Sequence, residues 1–185
     1  AHFHQVLQKF LDAGLVDSHL TAHAPYSVSA SAFRQINLTT ENQVVSIHNQ
    51  ETKAENELFQ TGGGAFLNLF NKFGIHQSPF QTTGLSSLRS FLPYFDRGQH
   101  IILVHNTYTS KADLTWALDL AAQRGLTLSF CLCVNANLYI ENTLPDISML
   151  RSAGVNIVLG TDSYSSNDQL KISSEISTIA NWFPN

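Results

Sequence analysis

Hydrophobic positions recur along the chain with two different periods. "HQVLQKFLDAGL" (4–15) sets Val6, Leu7, Phe10 and Leu11 at helical spacing, with Gly14 as a stop signal. "LTAHAPYS" (20–27) reads as a short strand ending in a Pro turn, and "VSASAFRQINLTTEN" (28–42) as a helix. "VVSIHNQ" (44–50) predicts a buried strand. A helical stretch starts near Glu51 and is interrupted by "TGGGAF" (61–66). The chain from Gly74 to Phe95 is a long excursion with turn residues and one short helix. "HIILVHN" (100–106) is a further buried strand. "SKADLTWALDLAAQRG" (110–125) is a helix marked by Ser110 at its N-cap, Asp113 three residues on, and Gly125 past its end. "LTLSFCLCVN" (126–135) predicts a strand, "LPDISMLRSAG" (144–154) a helix, "VNIVLGTD" (155–162) a strand, and "SNDQLKISSEISTIANWF" (166–183) a last helix.

Strands apolar on both faces that alternate with helices specify an α/β fold with a parallel sheet. Five strands are predicted, near 20–24, 44–49, 100–106, 126–135 and 155–162. Two architectures accommodate them, a doubly wound sheet and part of a (β/α)8 barrel. No GxGxxG or GxxxxGK[ST] follows a strand, which removes the signature of the nucleotide-binding doubly wound folds. "TGGGAF" lies inside a helical pattern and is weak as a phosphate loop. No linker, internal repeat or low-complexity tract divides residues 1–185, so a single domain is expected.

Composition narrows the partners. The 185 residues are 43% hydrophobic and 13% charged, which fits a globular, rather apolar domain. A net charge of -4 with no Lys/Arg cluster argues against nucleic acid or an anionic membrane as partner. No apolar run approaches the ~20 residues of a membrane span, and no secretory signal layout opens the chain. Cys131 and Cys133 stand at i and i+2, too close in sequence to bridge comfortably, and read as reduced core thiols of a cytoplasmic protein.

The chemistry gathers at strand ends. The predicted strands end at His23, His48, His105 and Asp162. His48, His105 and Asp162 stand 57 residues apart in turn, so only strand packing can unite them. In parallel α/β folds the C-terminal strand ends face one cavity. A buried carboxylate needs a partner. Three histidines with an aspartate have the composition of a site for one divalent cation, Zn or Fe. Glu51, three residues after His48, is placed to carry a proton between bound water and substrate. Each residue also has a plain structural reading: a hydrogen-bonded histidine, an Asp162 that caps the following helix, a Glu51 in a helix first turn. Those readings do not predict all the groups at the same end of successive strands. "HFH" (2–4) has the form of a metal pair but enters a helix. His76 and His100 stand at the wrong ends of their elements and read as surface residues.

"HAPYSVS" (23–29), "SIHNQETKAENELF" (46–59), "LVHN" (103–106), "CVNANLYI" (133–140) and "LGTDSYSSN" (159–167), in this order, resemble the amidohydrolase superfamily. The nearest branch is cytosine deaminase-like, with S-adenosylhomocysteine, guanine and aminodeoxyfutalosine deaminases and the triazine chlorohydrolases. The resemblance implies a (β/α)8 TIM barrel of which this chain carries strands four to eight, with one catalytic Zn or Fe. It implies His48 and Asp162 as metal ligands and Glu51, His105 and Asp162 as catalytic residues, with His23 touching substrate. In the implied reaction, metal-activated water attacks a ring carbon bearing an amino group or halogen, while Glu51 protonates the adjacent ring nitrogen. The substrate is then a small heterocycle, purine-like.

The chain also departs from the pattern. The family's first-strand His-x-His has no counterpart, and residues 1–15 resemble the helix before the fourth strand. The first three strands and the flanking sandwich are therefore expected to be missing, and this stretch alone is expected to hold metal weakly and be inactive. Val134 stands where relatives often carry Pro. A cyclic amidohydrolase or chlorohydrolase of the same superfamily is the nearest enzymatic alternative. A non-enzymatic α/β binding domain with structural histidines is the alternative from another class. Residues 62–92 are expected to form either a lid over the pocket or a surface excursion. The sequence leaves homodimerisation open.

Overall fold

The computed structural model describes residues 2–15, 18–75 and 81–184. Four parallel strands form one sheet: β1 (Val44–Asn49), β2 (His100–His105), β3 (Thr127–Leu132) and β4 (Asn156–Leu159), in that spatial order. The helices are α1 (His2–Asp12), α2 (Ala30–Thr39), α3 (Lys53–Thr61), α4 (Ala65–Lys72), α5 (Ser87–Phe91), α6 (Lys111–Arg124), α7 (Val134–Glu141), α8 (Ile147–Ser152) and α9 (Ile172–Trp182). Short 3-10 turns lie at Pro25–Ser27 and Leu92–Tyr94.

Order along the sheet follows order along the chain, without the reversal that marks a doubly wound fold. One face is packed by helices. Val45, Ile47, Ile101, Leu103, Phe130 and Leu132 are buried there against Phe33, Leu88, Phe91, Phe95, Leu114 and Ile147. The opposite face carries Ser46, His48, Ile102, Val104, Cys131 and Val158, among which only Cys131 is buried. A main core on one side of a sheet whose strands follow chain order, with α7 packed at the strand mouth of the other side, is the wall of a barrel, not a two-sided sandwich.

Helix ends follow the sequence signals closely. The Ser110 hydroxyl accepts the Asp113 N–H at 3.1 Å, and Gly125 ends α6 at φ +66°. The glycine run separates α3 from α4, with Gly64 at φ +92° and ψ -171°, a conformation open to glycine alone. The excursion does contain one short helix, α5.

Five expectations need correction. The 20–24 segment is not a strand, although it lies along β1. The Thr21 hydroxyl takes over part of the ladder, donating to the Ser46 carbonyl at 2.6 Å and accepting the Ser46 N–H at 3.1 Å, and the Pro25 turn then leads the chain away. The 126–135 strand stops at Leu132, and Val134 starts a helix. There the buried Glu175 carboxylate accepts the Asn135 N–H at 3.0 Å and the Asn135 amide at 2.9 Å, which turns the chain out of the sheet. The 155–162 strand ends at Leu159, because Gly160 to Asp162 bend into a loop. The last helix begins at Ile172, since the Asn167 amide is bound to the Thr161 carbonyl (2.8 Å) and Glu175 (2.8 Å) in a folded loop. His100 does enter β2 at its N-terminal end, but it is half-buried and bonded to the Ser129 hydroxyl at 2.6 Å. His2 and His4 fall in α1 with their side chains outside the description, and His76 lies outside the described residues.

Candidate metal centre

His48 is the fifth residue of β1 and projects from the half-open face. Its Nδ1 lies 2.6 Å from the His23 carbonyl. A carbonyl only accepts, so Nδ1 carries the proton and Nε2 keeps a free lone pair. This is the usual arrangement in which a second-shell acceptor aims an imidazole at a cation. The His23 ring packs against it at 4.6 Å between centroids. Burial, then the neighbouring His48, lower the His23 pKa, against the opposing pull of Glu51 and Asp162.

His105 reaches the same place by a less regular route. It pairs with Asn49 in the ladder, one residue past His48, so strand alternation alone would point it to the helix-packed face. Its backbone is left-handed instead, φ +75°, followed by Asn106 at φ +60°. The imidazole swings into the strand mouth and stacks on His48, 5.2 Å between centroids. Asn137 of α7 meets it at Nδ1 (2.8 Å) and at its carbonyl (3.4 Å). Its Nε2 is buried without a hydrogen bond, 3.4 Å from a Glu51 oxygen.

Asp162 follows Gly160, where a Cβ would stand 2.9 Å from the Cys131 sulfur and 3.1 Å from that of Cys133. The bare backbone lets the chain leave β4 tight against the thiols. Asp162 then adopts φ +57° and receives the Ser166 hydroxyl. It caps no helix. Both cysteines are free and buried, and the Cys133 thiol is pushed up by the adjacent Cys131 sulfur and by burial, so it stays protonated.

Ligand atoms of His48, His105 and Asp162 all lie within 4.8 Å of one another. Glu51 lies just outside α3, ahead of its N-cap Thr52. Its position is set by a residue that sequence reading passed over: fully buried Glu55 accepts the Gln50 N–H at 3.0 Å and the Glu51 N–H at 3.2 Å. Burial pushes the Glu55 carboxyl up to about 7 against those hydrogen bonds. Thr52 and Glu55 stand at capping-box spacing, a signal present in the sequence. Only the Thr52 half is formed, and the Glu55 carboxylate reaches past the cap to Gln50 and Glu51. Asn137 and Ser166 carried no such signal. Burial and the charges of Glu51 and Glu55 raise the Tyr26 phenol to about 12, and its ring lies 4.4 Å from Phe66 of α4, which brings part of the 62–92 excursion to the rim of the site.

His48, with its lone pair freed by a carbonyl, and the Asp162 carboxylate have the chemistry of ligands for a divalent cation, and His105, with its orphaned nitrogen, brings a ligand atom within 4.8 Å of both. The sequence from residue 2 to 182 matches the profile of the amidohydrolase family. The chain belongs to that family. It is 26% identical over 165 residues to the aminodeoxyfutalosine deaminase of a Nitratiruptor species, covering 88% of this chain and 37% of the relative. Among solved structures it is similar to the aminofutalosine deaminase of Helicobacter pylori in complex with methylthio-coformycin, with a TM-score of 0.69 and 23% identity over 86% of this chain and 38% of that one. It is also similar to a zinc-bound adenosine deaminase from Xanthomonas campestris, with a TM-score of 0.57 and 27% identity over 86% of this chain and 31% of that one. The chain thus spans less than half the length of the relatives it matches. Among the described residues no helix is long and apolar enough to cross a membrane.

Proposed function

We propose that the protein to which these residues belong is a metal-dependent aminohydrolase that deaminates a purine-like heterocycle, with this chain supplying one wall of its barrel and much of its site. The observation that carries this reading is the meeting of His48, His105 and Asp162, with Glu51 at 3.4 Å from His105. The names of the relatives, deaminases of adenosine and aminodeoxyfutalosine, support the reaction class. The zinc in one neighbour supports zinc over iron, and the coformycin analogue in another supports a nucleoside-like substrate.

His48 and Asp162 would hold the cation, which when bound supplies Lewis acidity to water at neutral pH. Asp162 takes the proton that the attacking water gives up. His105 holds that water through Nε2. Glu51 delivers a proton to the ring nitrogen next to the carbon under attack. The proton held by Asp162 passes to the amine so that it leaves as ammonia, and the remaining hydroxyl proton returns to Glu51 as the carbonyl forms. His23, exposed at the rim, contacts the heterocycle. The two free, buried thiols support a reducing compartment such as the cytoplasm.

The test uses the full-length protein, loaded with zinc and offered adenosine and related 6-aminopurine nucleosides, with ammonia release as the readout. Turnover in the parent, with loss of at least a thousandfold and of bound zinc in Asp162→Asn, is the expected result. Zinc retained and turnover intact in Asp162→Asn would overturn the assignment.

A further inference from the structure

His105 carries an ambiguity that its neighbours resolve. A neutral imidazole has one protonated and one bare nitrogen, and the choice decides what the site can accept. The ring is wholly buried and its Nδ1 meets a protein partner, so that partner makes the choice. Asn137 is 1% exposed and lies 32 residues further along, in α7. Its side chain reaches two atoms of the same residue, the His105 carbonyl at 3.4 Å and Nδ1 at 2.8 Å.

The carbonyl can only accept, so the amide nitrogen of Asn137 must face it. That orientation turns the amide oxygen to Nδ1. An amide oxygen also only accepts, so Nδ1 carries the hydrogen and Nε2 is bare. Flipping the amide would set its oxygen against the His105 carbonyl oxygen, a repulsion in a buried setting. The bare Nε2 lies 3.4 Å from a carboxylate oxygen of Glu51 without a hydrogen bond to it. It offers an acceptor to a donor from outside, such as a water. The opposite tautomer would put a hydrogen on Nε2, bond it to Glu51 and remove that acceptor.

We infer that Asn137 is a positioning residue: by fixing the Nδ1–H tautomer of His105 it keeps the His105–Glu51 pair open to an incoming donor. Only the kinetic arm of the test rests on the deaminase reading. The tautomer is read directly from long-range proton–nitrogen spectra of the full-length protein labelled with nitrogen-15 in histidine, with the His105 signals identified by their loss in His105→Gln. The parent is expected to show Nε2 bare. Asn137→Leu, close in size but without donor or acceptor, is expected to gain a hydrogen on Nε2. Its kcat should fall about 10- to 100-fold, the usual effect of losing such an outer partner, with KM and zinc content little changed. Should that variant not fold, Asn137→Asp decides, because it keeps the acceptor: Nε2 still bare supports the inference, and a hydrogen on Nε2 overturns it. A parent with Nε2 protonated, or an Asn137→Leu protein with an unchanged tautomer, overturns it as well, whether or not any substrate is turned over.

Discussion

Gly160 shows how one missing atom serves the site. Its φ is not in the left-handed range, so the requirement is for space: an added Cβ would stand at 2.9 and 3.1 Å from two buried sulfurs. Gly160→Ala is expected to cost about 1–3 kcal/mol of stability through overpacking and to displace Asp162, which thermal unfolding and zinc content would register together. Glu55 sets a pH dependence of unusual sign. Its folded pKa of about 7 lies above the ordinary 4.5, so the folded state favours the protonated form. Its contribution to stability is greatest below about pH 4.5 and falls as pH rises toward 7, by roughly 3 kcal/mol in total. Denaturant titrations from pH 5 to 7.5 should show this slope in the parent and a flatter one in Glu55→Gln. Equal slopes would contradict it. Asp113 works the other way. Burial raises its pKa, but Arg89, Gln50 and Ser86 outweigh that and hold it below 3.8, so its support is lost only as pH falls through that lower value.

At the scale of elements, the loops after β1 and β2 are tied together beneath the site. The Gln50 amide donates to Asn56 at 3.1 Å and Asp113 at 3.1 Å and accepts the Thr109 hydroxyl at 2.8 Å, while Arg89 meets Asp113 at 2.6 Å and covers the Trp116 ring at 5.2 Å. One buried glutamine thus joins β1 to the first turn of α6, and α5 is drawn in through Arg89. Arg89→Leu should cost about 2 kcal/mol, the worth of a charged hydrogen bond at a largely buried acceptor, measured by chemical denaturation. These ties also mark the limit of sequence reading. β1, β2 and the bounds of α6 were legible because apolar runs and caps are local signals. α7 was not, because its start depends on Glu175, 40 residues away from Asn135. The 20–24 segment misled because its apolar residues do line a sheet edge, while a threonine hydroxyl replaces the backbone in the ladder. His48, His105, Asp162 and Glu51 could be named from strand-end positions and family likeness. The left-handed turn that brings His105 to them could not, since alternation predicts the opposite face.

For the molecule as a whole, packing is unequal across the sheet. The central strands bury Ile101, Leu103 and Phe130 completely, whereas Asn156–Leu159 are exposed or half-buried throughout. Amide hydrogen exchange of this chain should follow that gradient, with β2 and β3 protected longest and β4 shortest. Equal protection across the four strands would show that β4 is held by more than the contacts described. Phe130→Ala, at the centre of the core, should cost about 3–5 kcal/mol.

The distances in sequence between His48, His105 and Asp162 have a kinetic consequence. No two of them share a segment, and parallel strands pair only after long loops have closed, which is slow. The group is therefore expected to be completed late as the chain folds, so metal uptake during refolding should follow the pairing of all four strands.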